Sequence, residues 1–341
     1  LGTASYGHIR DAVDGALAGQ SYLKMEPLDT LPLVNTHRMV TTGGHYAYLK
    51  IAEGCDKHCT YCIIPKLRGN FRSVPMEHLL REAKQLADDG VKEIILVAQE
   101  TTLYGKDLYG EKKLPELLRR LCKISGIRWI RILYCYPEEI TEELIQTIKE
   151  EPKICHYLDL PIQHASDDVL KRMGRRTSKE ELIHIISRIR EEIPDITLRT
   201  TLITGFPGES KEQHEELMDF VDEMAFDRLG VFTYSAEDGT PAAQMPDQVE
   251  ESLKEARRAE LMELQQEIAF DQAEQMIGRE VLVMIEGKVA DENAYVGRTY
   301  KDAPNVDGLI FVNTDTELLS GDFAKVRVTG ACEYDLIGEL M

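Results

Sequence analysis

From about Tyr46 onward, two kinds of hydrophobic pattern alternate along the chain. Short runs rich in aliphatic and β-branched residues fall at 47–52, 92–98, 128–134, 156–160, 196–204 and 229–234, and read as strands. Between them, apolar residues recur at helical spacing over 75–89, 114–124, 141–150, 178–192 and 211–225. Pro75 and Pro115 stand where a helix tolerates proline, in its first turn. Thr141, three residues before Leu144, is placed to cap its helix. This alternation predicts an α/β fold with a parallel sheet, specifically a partial (β/α)6 TIM-like barrel. In such barrels the functional side chains gather at the C-terminal ends of the strands.

The pattern differs on either side of this region. Within residues 1–40 one short helix is expected from His8 to Gly19, with Ile9, Val13 and Leu17 at four-residue spacing. Met25 to Val40 lacks periodicity and contains Pro27 and Pro32, as a linker or the tail of a preceding domain does. Residues 250–276 read as one long helix with an apolar stripe of Leu253, Ala256, Leu261, Leu264 and Ile268. After Gly278, β-rich runs at 281–285, 308–312 and 323–328 predict a small all-β domain of OB-like type. The expected division is therefore a remnant over 1–40, a barrel over 41–272 and the small domain over 274–341.

Composition narrows the class. With 43% hydrophobic residues the chain has ample material for a core. No run is long and apolar enough for a membrane span, and no secretion signal opens the chain, so a cytoplasmic protein with no membrane partner is expected. The net charge of −20 disfavours a phosphate backbone as partner and favours a basic protein. From Glu274 onward, 13 Asp and Glu stand against 6 Lys and Arg, so the small domain is itself acidic. A local basic cluster of Arg298, Lys301 and Arg327 remains open. Seven cysteines form no disulfide-like framework; in a reducing compartment, clustered cysteines read as metal ligands. Cys122 and Cys332 read as buried thiols; Cys135 follows the third strand and Cys155 precedes the fourth, where either could approach the cavity, but a structural thiol is the favoured reading for both.

The clustered ones are Cys55, Cys59 and Cys62, directly after the first strand. Three thiolates on one tight loop suit one face of an iron–sulfur cube and leave one iron open. Zinc is the alternative, with His58 as a fourth ligand, although its adjacency to Cys59 would strain the loop.

The spacing, with Tyr61 before the last cysteine, resembles the signature of the radical S-adenosylmethionine (SAM) superfamily. The resemblance implies a 4Fe-4S cluster whose open iron chelates SAM, and reductive cleavage of SAM to a radical that abstracts hydrogen from an unactivated carbon. The other strand ends suit a SAM site. Gln99 and Glu100 end the second strand, and Gln163, His164 and Ser166 follow the fourth. Thr201 lies on the fifth, which runs into Gly205-Phe206-Pro207-Gly208-Glu209, and Tyr234 closes the sixth. Gln163 and Ser166 are expected to meet the ribose or methionyl group, and the Gly205 loop and Tyr234 the adenine; for each, an ordinary polar loop residue is the alternative. His164 more readily caps a neighbouring loop.

From Tyr46 to Met341 the chain resembles the radical SAM methylthiotransferase family. The match is carried by the stretch from Ala47 to Cys55, by Ile94 to Gly105 with its Gln99-Glu100-Thr101, by Asp159-Leu160-Pro161-Ile162-Gln163-His164-Ala165-Ser166, and by Gly205 to Glu209. The C-terminal domain resembles TRAM. Within the family the chain is most similar to the type that methylthiolates the β-carbon of an aspartate in small-subunit ribosomal protein twelve, with SAM as both methyl donor and radical source. A flavodoxin- or ferredoxin-type electron donor is implied. The family's auxiliary 4Fe-4S cluster is held by three cysteines of an N-terminal domain. The chain opens with Leu1, and none of the 54 residues before Cys55 is cysteine, so that domain is expected to lie outside this chain. On that expectation the chain holds the radical cluster and cleaves SAM without completing sulfur insertion. Two other readings stay open: a MiaB-like transfer RNA methylthiotransferase, against which the acidic small domain argues, and a non-catalytic zinc-containing binding module.

Overall fold

The computed structural model describes residues 1–30 and 38–341. Part of the expected linker, residues 31–37, lies outside the described residues. The first helix, α1, spans Ile9–Leu17, close to the expected bounds.

The main sheet holds six strands: β1 (Tyr46–Lys50), β4 (Glu93–Val97), β5 (Trp129–Ile132), β6 (Ile154–Asp159), β7 (Thr197–Thr204) and β8 (Arg228–Thr233). They pair in that order, all parallel, as an open sheet with β1 and β8 at its edges. A two-stranded ribbon of β2 (Ala52–Glu53) and β3 (Arg72–Ser73) flanks the first crossover. The helices are α2 (Ile64–Arg68), α3 (Met76–Asp88), α4 (Lys106–Tyr109), α5 (Leu114–Cys122), α6 (Glu142–Glu150), α7 (Asp167–Met173), α8 (Lys179–Glu192), α9 (Lys211–Met224) and α10 (Glu251–Glu274). Local chemistry sets several starts. Thr141 Oγ1 accepts from Leu144 N at 3.2 Å, and Ser178 and Ser210 each form a capping box with the residue three positions on. The short helices α2, α4 and α7 were not expected; at four to seven residues they carry too little periodicity to register.

Alternate strand residues face opposite sides of the sheet. Ala47, Leu49, Ile94, Leu96, Ile130, Ile132, Leu158, Leu198 and Leu202 pack against Leu79, Leu117, Ile148, Ile186 and Phe220 of the helices, which forms the large core. The opposite face carries Tyr46, Tyr48, Lys50, Glu93, Arg131, Asp159 and Arg199 together with Ile95, Val97 and Trp129, so the interior of the half-closed barrel mixes charged, aromatic and aliphatic groups.

The long helix buries part of the expected stripe, Leu261 with Leu264 and Ile268 packed against the core, and adds a polar row beside it. Lys254, Arg257, Leu261, Gln265 and Ala269 are buried, whereas Leu253 is exposed. The buried polar groups are paired: Lys254 Nζ donates to Tyr234 O at 2.8 Å, Arg257 Nη1 to Glu209 Oε1 at 3.0 Å, and Gln265 Nε2 to Phe226 O at 2.8 Å. Partnering allows the polar row to be buried, and hydrophobic periodicity does not register that.

The C-terminal strands β9 (Glu280–Lys288), β10 (Ala294–Arg298), β11 (Ile310–Asn313), β12 (Phe323–Cys332) and β13 (Asp335–Leu340) close into a barrel in the order β10-β11-β13-β12-β9. Strands β10 and β13 were not anticipated. Each contains a glycine and charged residues, and β10 buries Arg298 completely. Its guanidinium meets Glu93 and Glu286, Lys301 faces Asp227, and Arg327 faces Glu280. The three cations therefore form no basic patch. Cys332, expected to be buried, is exposed at the end of β12.

The small barrel covers the N-terminal ends of the parallel strands. Trp129, Cys155 and Tyr157 pack with Met284 and Ala303 in a shared apolar seam, which accounts for the buried Cys155. Tyr157 Oη donates to Asp307 Oδ2 at 2.7 Å, and Arg228 Nη2 to Asp302 Oδ1 at 2.6 Å. This seals the end of the sheet away from the cysteine loop. Among the described residues no helix is long and apolar enough to cross a membrane.

Candidate active site

The three cysteines sit on the loop that leaves β1 and β2 and enters α2, at the C-terminal end of the sheet. Gly54 starts the turn at φ +78, where a Cβ would lie 2.1 Å from Asn70 O. Only glycine fits there. Gly54 N donates to Gln99 Oε1 at 2.9 Å, Cys55 N to Gly69 O at 3.2 Å, and Phe71 N to Asp56 Oδ1 at 3.0 Å. The far side of the loop is held at Thr60. Its N donates to Met173 O at 2.9 Å, its Oγ1 to Arg172 O at 2.8 Å, and its O accepts from Ala242 N at 2.9 Å.

Cys55, Cys62 and Gln99 line a cavity of about 370 Å³ together with Lys50, Ile64, Val97, Ala98, Tyr134 and Tyr136. Cys59 lies beside it, with Sγ 3.8 Å from Tyr136 Oη. The Tyr136 ring has the Arg175 guanidinium 4.3 Å and the Lys57 ammonium 4.9 Å from its centroid. Lys57 is neutralised by Glu138 at 3.2 Å and Glu139 at 2.5 Å. His58 takes a left-handed backbone (φ +52) and is exposed, turned out of the site, so it supplies no fourth ligand. Burial pushes the Cys55 thiol up to about 11 and raises Cys62 as well. Both are therefore protonated until a metal displaces the proton.

The family model described as the radical SAM superfamily matches residues 49–221, and the TRAM domain model matches 277–341. A protein of Lachnoclostridium phytofermentans named ribosomal protein uS12 methylthiotransferase RimO is 64% identical over 338 residues, covering 99% of this chain and 77% of that protein. The chain belongs to the RimO family of radical SAM methylthiotransferases. A RimO protein of Desulfitobacterium hafniense is 52% identical over 296 residues, covering 87% of this chain and 66% of its own length. A solved structure of the radical SAM methyltransferase TsrM from Kitasatospora setae, with tryptophan and a SAM analogue bound, aligns at a TM-score of 0.50. It is 16% identical, covers 76% of this chain and 45% of that one, and shows the fold alone.

RimO membership implies a 4Fe-4S cluster and SAM, and the site fits both. Cys55 and Cys62 line the cavity with Cys59 beside it, and three thiols on one loop suit one face of a cluster. Several residues expected to meet SAM end in buried polar atoms without a partner: Glu100 Oε2, Gln163 Oε1 and Tyr234 Oη. Such orphans ask for a polar ligand or water. Glu100 Oε1 accepts from Thr102 N at 2.8 Å, and burial pushes its carboxyl up to about 7, against the pull of Thr102 and Lys57. Gln163 holds a left-handed backbone (φ +73), bridged to β7 through Thr201 O at 2.9 Å. Ser166 is buried at the start of α7, and its hydroxyl makes no capping bond. Thr201 is half-buried in the middle of β7.

Other expected residues have structural duties. Tyr61 and Tyr234 share an apolar cluster with Val169, Met173, Phe206 and Ala242 beneath the cysteine loop. The amides of Gly205 and Phe206 donate to Glu209 Oε2 at 2.7 and 3.0 Å, so they are not free for adenine. At Gly205 a Cβ would lie 2.3 Å from Lys254 Cγ, which is a packing reason for the glycine. His164 Nδ1 accepts from Ser166 N at 3.0 Å, the loop-capping role expected of it.

The sequence reading missed Lys50, Tyr134 and Tyr136. For Lys50 the signal was strand parity: Tyr46, Tyr48 and Lys50 alternate with core residues, so a lysine ends the strand on the cavity face. Tyr134 and Tyr136 follow the third strand as Tyr134-Cys135-Tyr136-Pro137, an aromatic pair at a strand end.

Proposed function

We propose that this enzyme methylthiolates the β-carbon of an aspartate in ribosomal protein uS12. The observation that carries the reading is the 64% identity, over 99% of the chain, to a protein named for that reaction. The cavity beside Cys55 and Cys62, at the open end of the barrel, gives the chemistry a location.

In this reading Cys55, Cys59 and Cys62 hold the cluster, Gln99, Glu100, Gln163, Ser166 and Thr201 shape the SAM site around it, and Tyr61, Gly205 and Tyr234 support it through packing and the Gly205 bond to Glu209. Bound there, the cluster and SAM supply a radical that removes hydrogen from an unactivated carbon. The chain's own residues do the rest. Gln99 fixes the first turn of the cysteine loop through Gly54 N, and Thr60 fixes the last. Tyr136 Oη lies 3.8 Å from the buried Cys59 Sγ, and Tyr61 anchors the loop in an apolar cluster with Val169, Met173 and Phe206. Tyr134 lines the cavity and is exposed, an aromatic surface suited to a polypeptide loop. The net charge of −20 suits a basic ribosomal protein. The barrel occupies residues 41–272 and the TRAM domain 274–341, and electrons come from a flavodoxin- or ferredoxin-type donor.

The test offers the reconstituted full-length enzyme, with SAM and reductant, both uS12 and transfer RNA. A mass gain on uS12, mapped to an aspartate, is expected; a gain on transfer RNA alone overturns the assignment.

A further inference from the structure

We infer that Lys50 receives the carboxylate of the substrate aspartate and sets its specificity; this rests on the uS12 reading above. Lys50 is the last residue of β1. Ala47 and Leu49 of the same strand are packed in the helix-side core, so Tyr46, Tyr48 and Lys50 face the barrel interior. Tyr46, at the sealed end, accepts from Asn305 Nδ2 at 2.9 Å. Lys50, two steps further along the same face, reaches the open end. Of the nine described residues lining the cavity beside Cys55 and Cys62, Lys50 is the one cation. The others are thiol, aromatic or aliphatic, except Gln99, whose carbonyl oxygen is engaged by Gly54 N.

An aspartate that reacts at its β-carbon carries its carboxylate on the next atom. Wherever the β-hydrogen is removed, that charge enters the same cavity. Placed among aromatic and aliphatic walls beside three cysteine ligands, an unpaired carboxylate is strongly disfavoured. A cation must accompany it, and an ammonium on a flexible stem can meet it as a point charge. Lys50 currently pairs with Glu53, and its side chain is 38% exposed, so it is free to turn. Glu53 does not lose its only cation when it does, because Arg68 Nη1 lies 3.8 Å away. With the substrate carboxylate bound, the two cations Lys50 and Arg68 balance Glu53 and the incoming charge. This pairing also separates aspartate from asparagine, because the neutral amide offers Lys50 no countercharge.

The experiment compares wild type, Lys50→Met and Lys50→Arg as reconstituted full-length enzymes, on uS12 and on uS12 with the target aspartate replaced by asparagine. Iron content, SAM affinity and SAM cleavage without uS12 are measured alongside. The expected result is a KM for uS12 raised about 10- to 100-fold in Lys50→Met, partly restored in Lys50→Arg, with iron content and SAM affinity unchanged. Lys50→Met should also bind the aspartate and asparagine forms alike. Unchanged KM, or a defect confined to SAM affinity or iron content, overturns the role of Lys50 while the uS12 reading stands. A wild-type enzyme that leaves uS12 unmodified removes both.

Discussion

Arg298 of the small barrel places Nη2 2.7 Å from Glu93 Oε2 at the foot of the parallel sheet, with both side chains fully buried. Glu93 also takes Arg131 Nε at 2.8 Å, and Arg131 Nη1 donates to Tyr300 O at 2.7 Å. Burial alone would raise the Glu93 carboxyl, but Arg131 and Arg298 outweigh it and hold it below the ordinary range. One carboxylate thus ties two domains through two guanidinium groups. Removing Arg298 leaves Glu93 with Arg131 alone and takes a guanidinium from Glu286, so Arg298→Met should cost about 1.5–3 kcal/mol through the lost charged hydrogen bonds. Chemical denaturation of the two proteins measures it. Combining Arg298→Met with Glu93→Gln should cost clearly less than the sum of the single changes, and strict additivity would refute the coupling.

The three loop cysteines should behave alike and differently from the rest. Cys55→Ser, Cys59→Ser or Cys62→Ser should each abolish the 4Fe-4S chromophore after anaerobic reconstitution, whereas Cys332→Ser should keep full iron and sulfide. Cluster content equal to wild type in any of the three would remove that residue from the ligand set.

Gly54→Ala tests the geometry of the loop rather than its ligands. The added Cβ meets backbone, Asn70 O at 2.1 Å, so the loop must shift. The expected outcome is a folded protein by circular dichroism that binds far less iron than wild type. Full iron loading would show that the loop tolerates the shift.

His164 makes stability depend on pH. Burial holds its imidazole neutral, lowering it from 6.5 to about 3, with His214, Arg172 and Arg257 adding to the shift. Glu209 lies 3.8 Å from Nε2 on the other side, and with the ring neutral this contact is no ion pair. Between those two values the unfolded chain binds a proton that the folded one refuses, so stability falls as pH falls below 6.5. At pH 5 this costs about 2 kcal/mol. His164→Asn keeps an acceptor for Ser166 N and cannot titrate. Its stability should fall less between pH 7 and 5, and identical pH profiles would refute the assignment.

Much of the site was readable from the chain. The Cys55, Cys59, Cys62 spacing is local, and so is the strand before it, so sequence order already carries the loop's position at the strand's C-terminal end. The main helices and strands were legible because each has a strong period of its own. Long helix α10 was found with part of its inward face, Leu261, Leu264 and Ile268, but not the polar row beside it. The buried face carries Lys254, Arg257 and Gln265, and their partners Tyr234, Glu209 and Phe226 come from distant segments.

By itself the sequence determined the alternating α/β order, the cysteine loop, the β-rich C-terminal domain and the family resemblance, because each is written in neighbouring residues or in a short period. Only the tertiary structure decided which side chains meet. It turned His58 outward and spent the Gly205 and Phe206 amides on Glu209. It buried Arg298 against Glu93, and brought Lys50 to the cavity of Cys55 and Cys62. Those outcomes depend on pairing between residues up to 205 positions apart, and no local pattern of hydrophobic and polar residues encodes them.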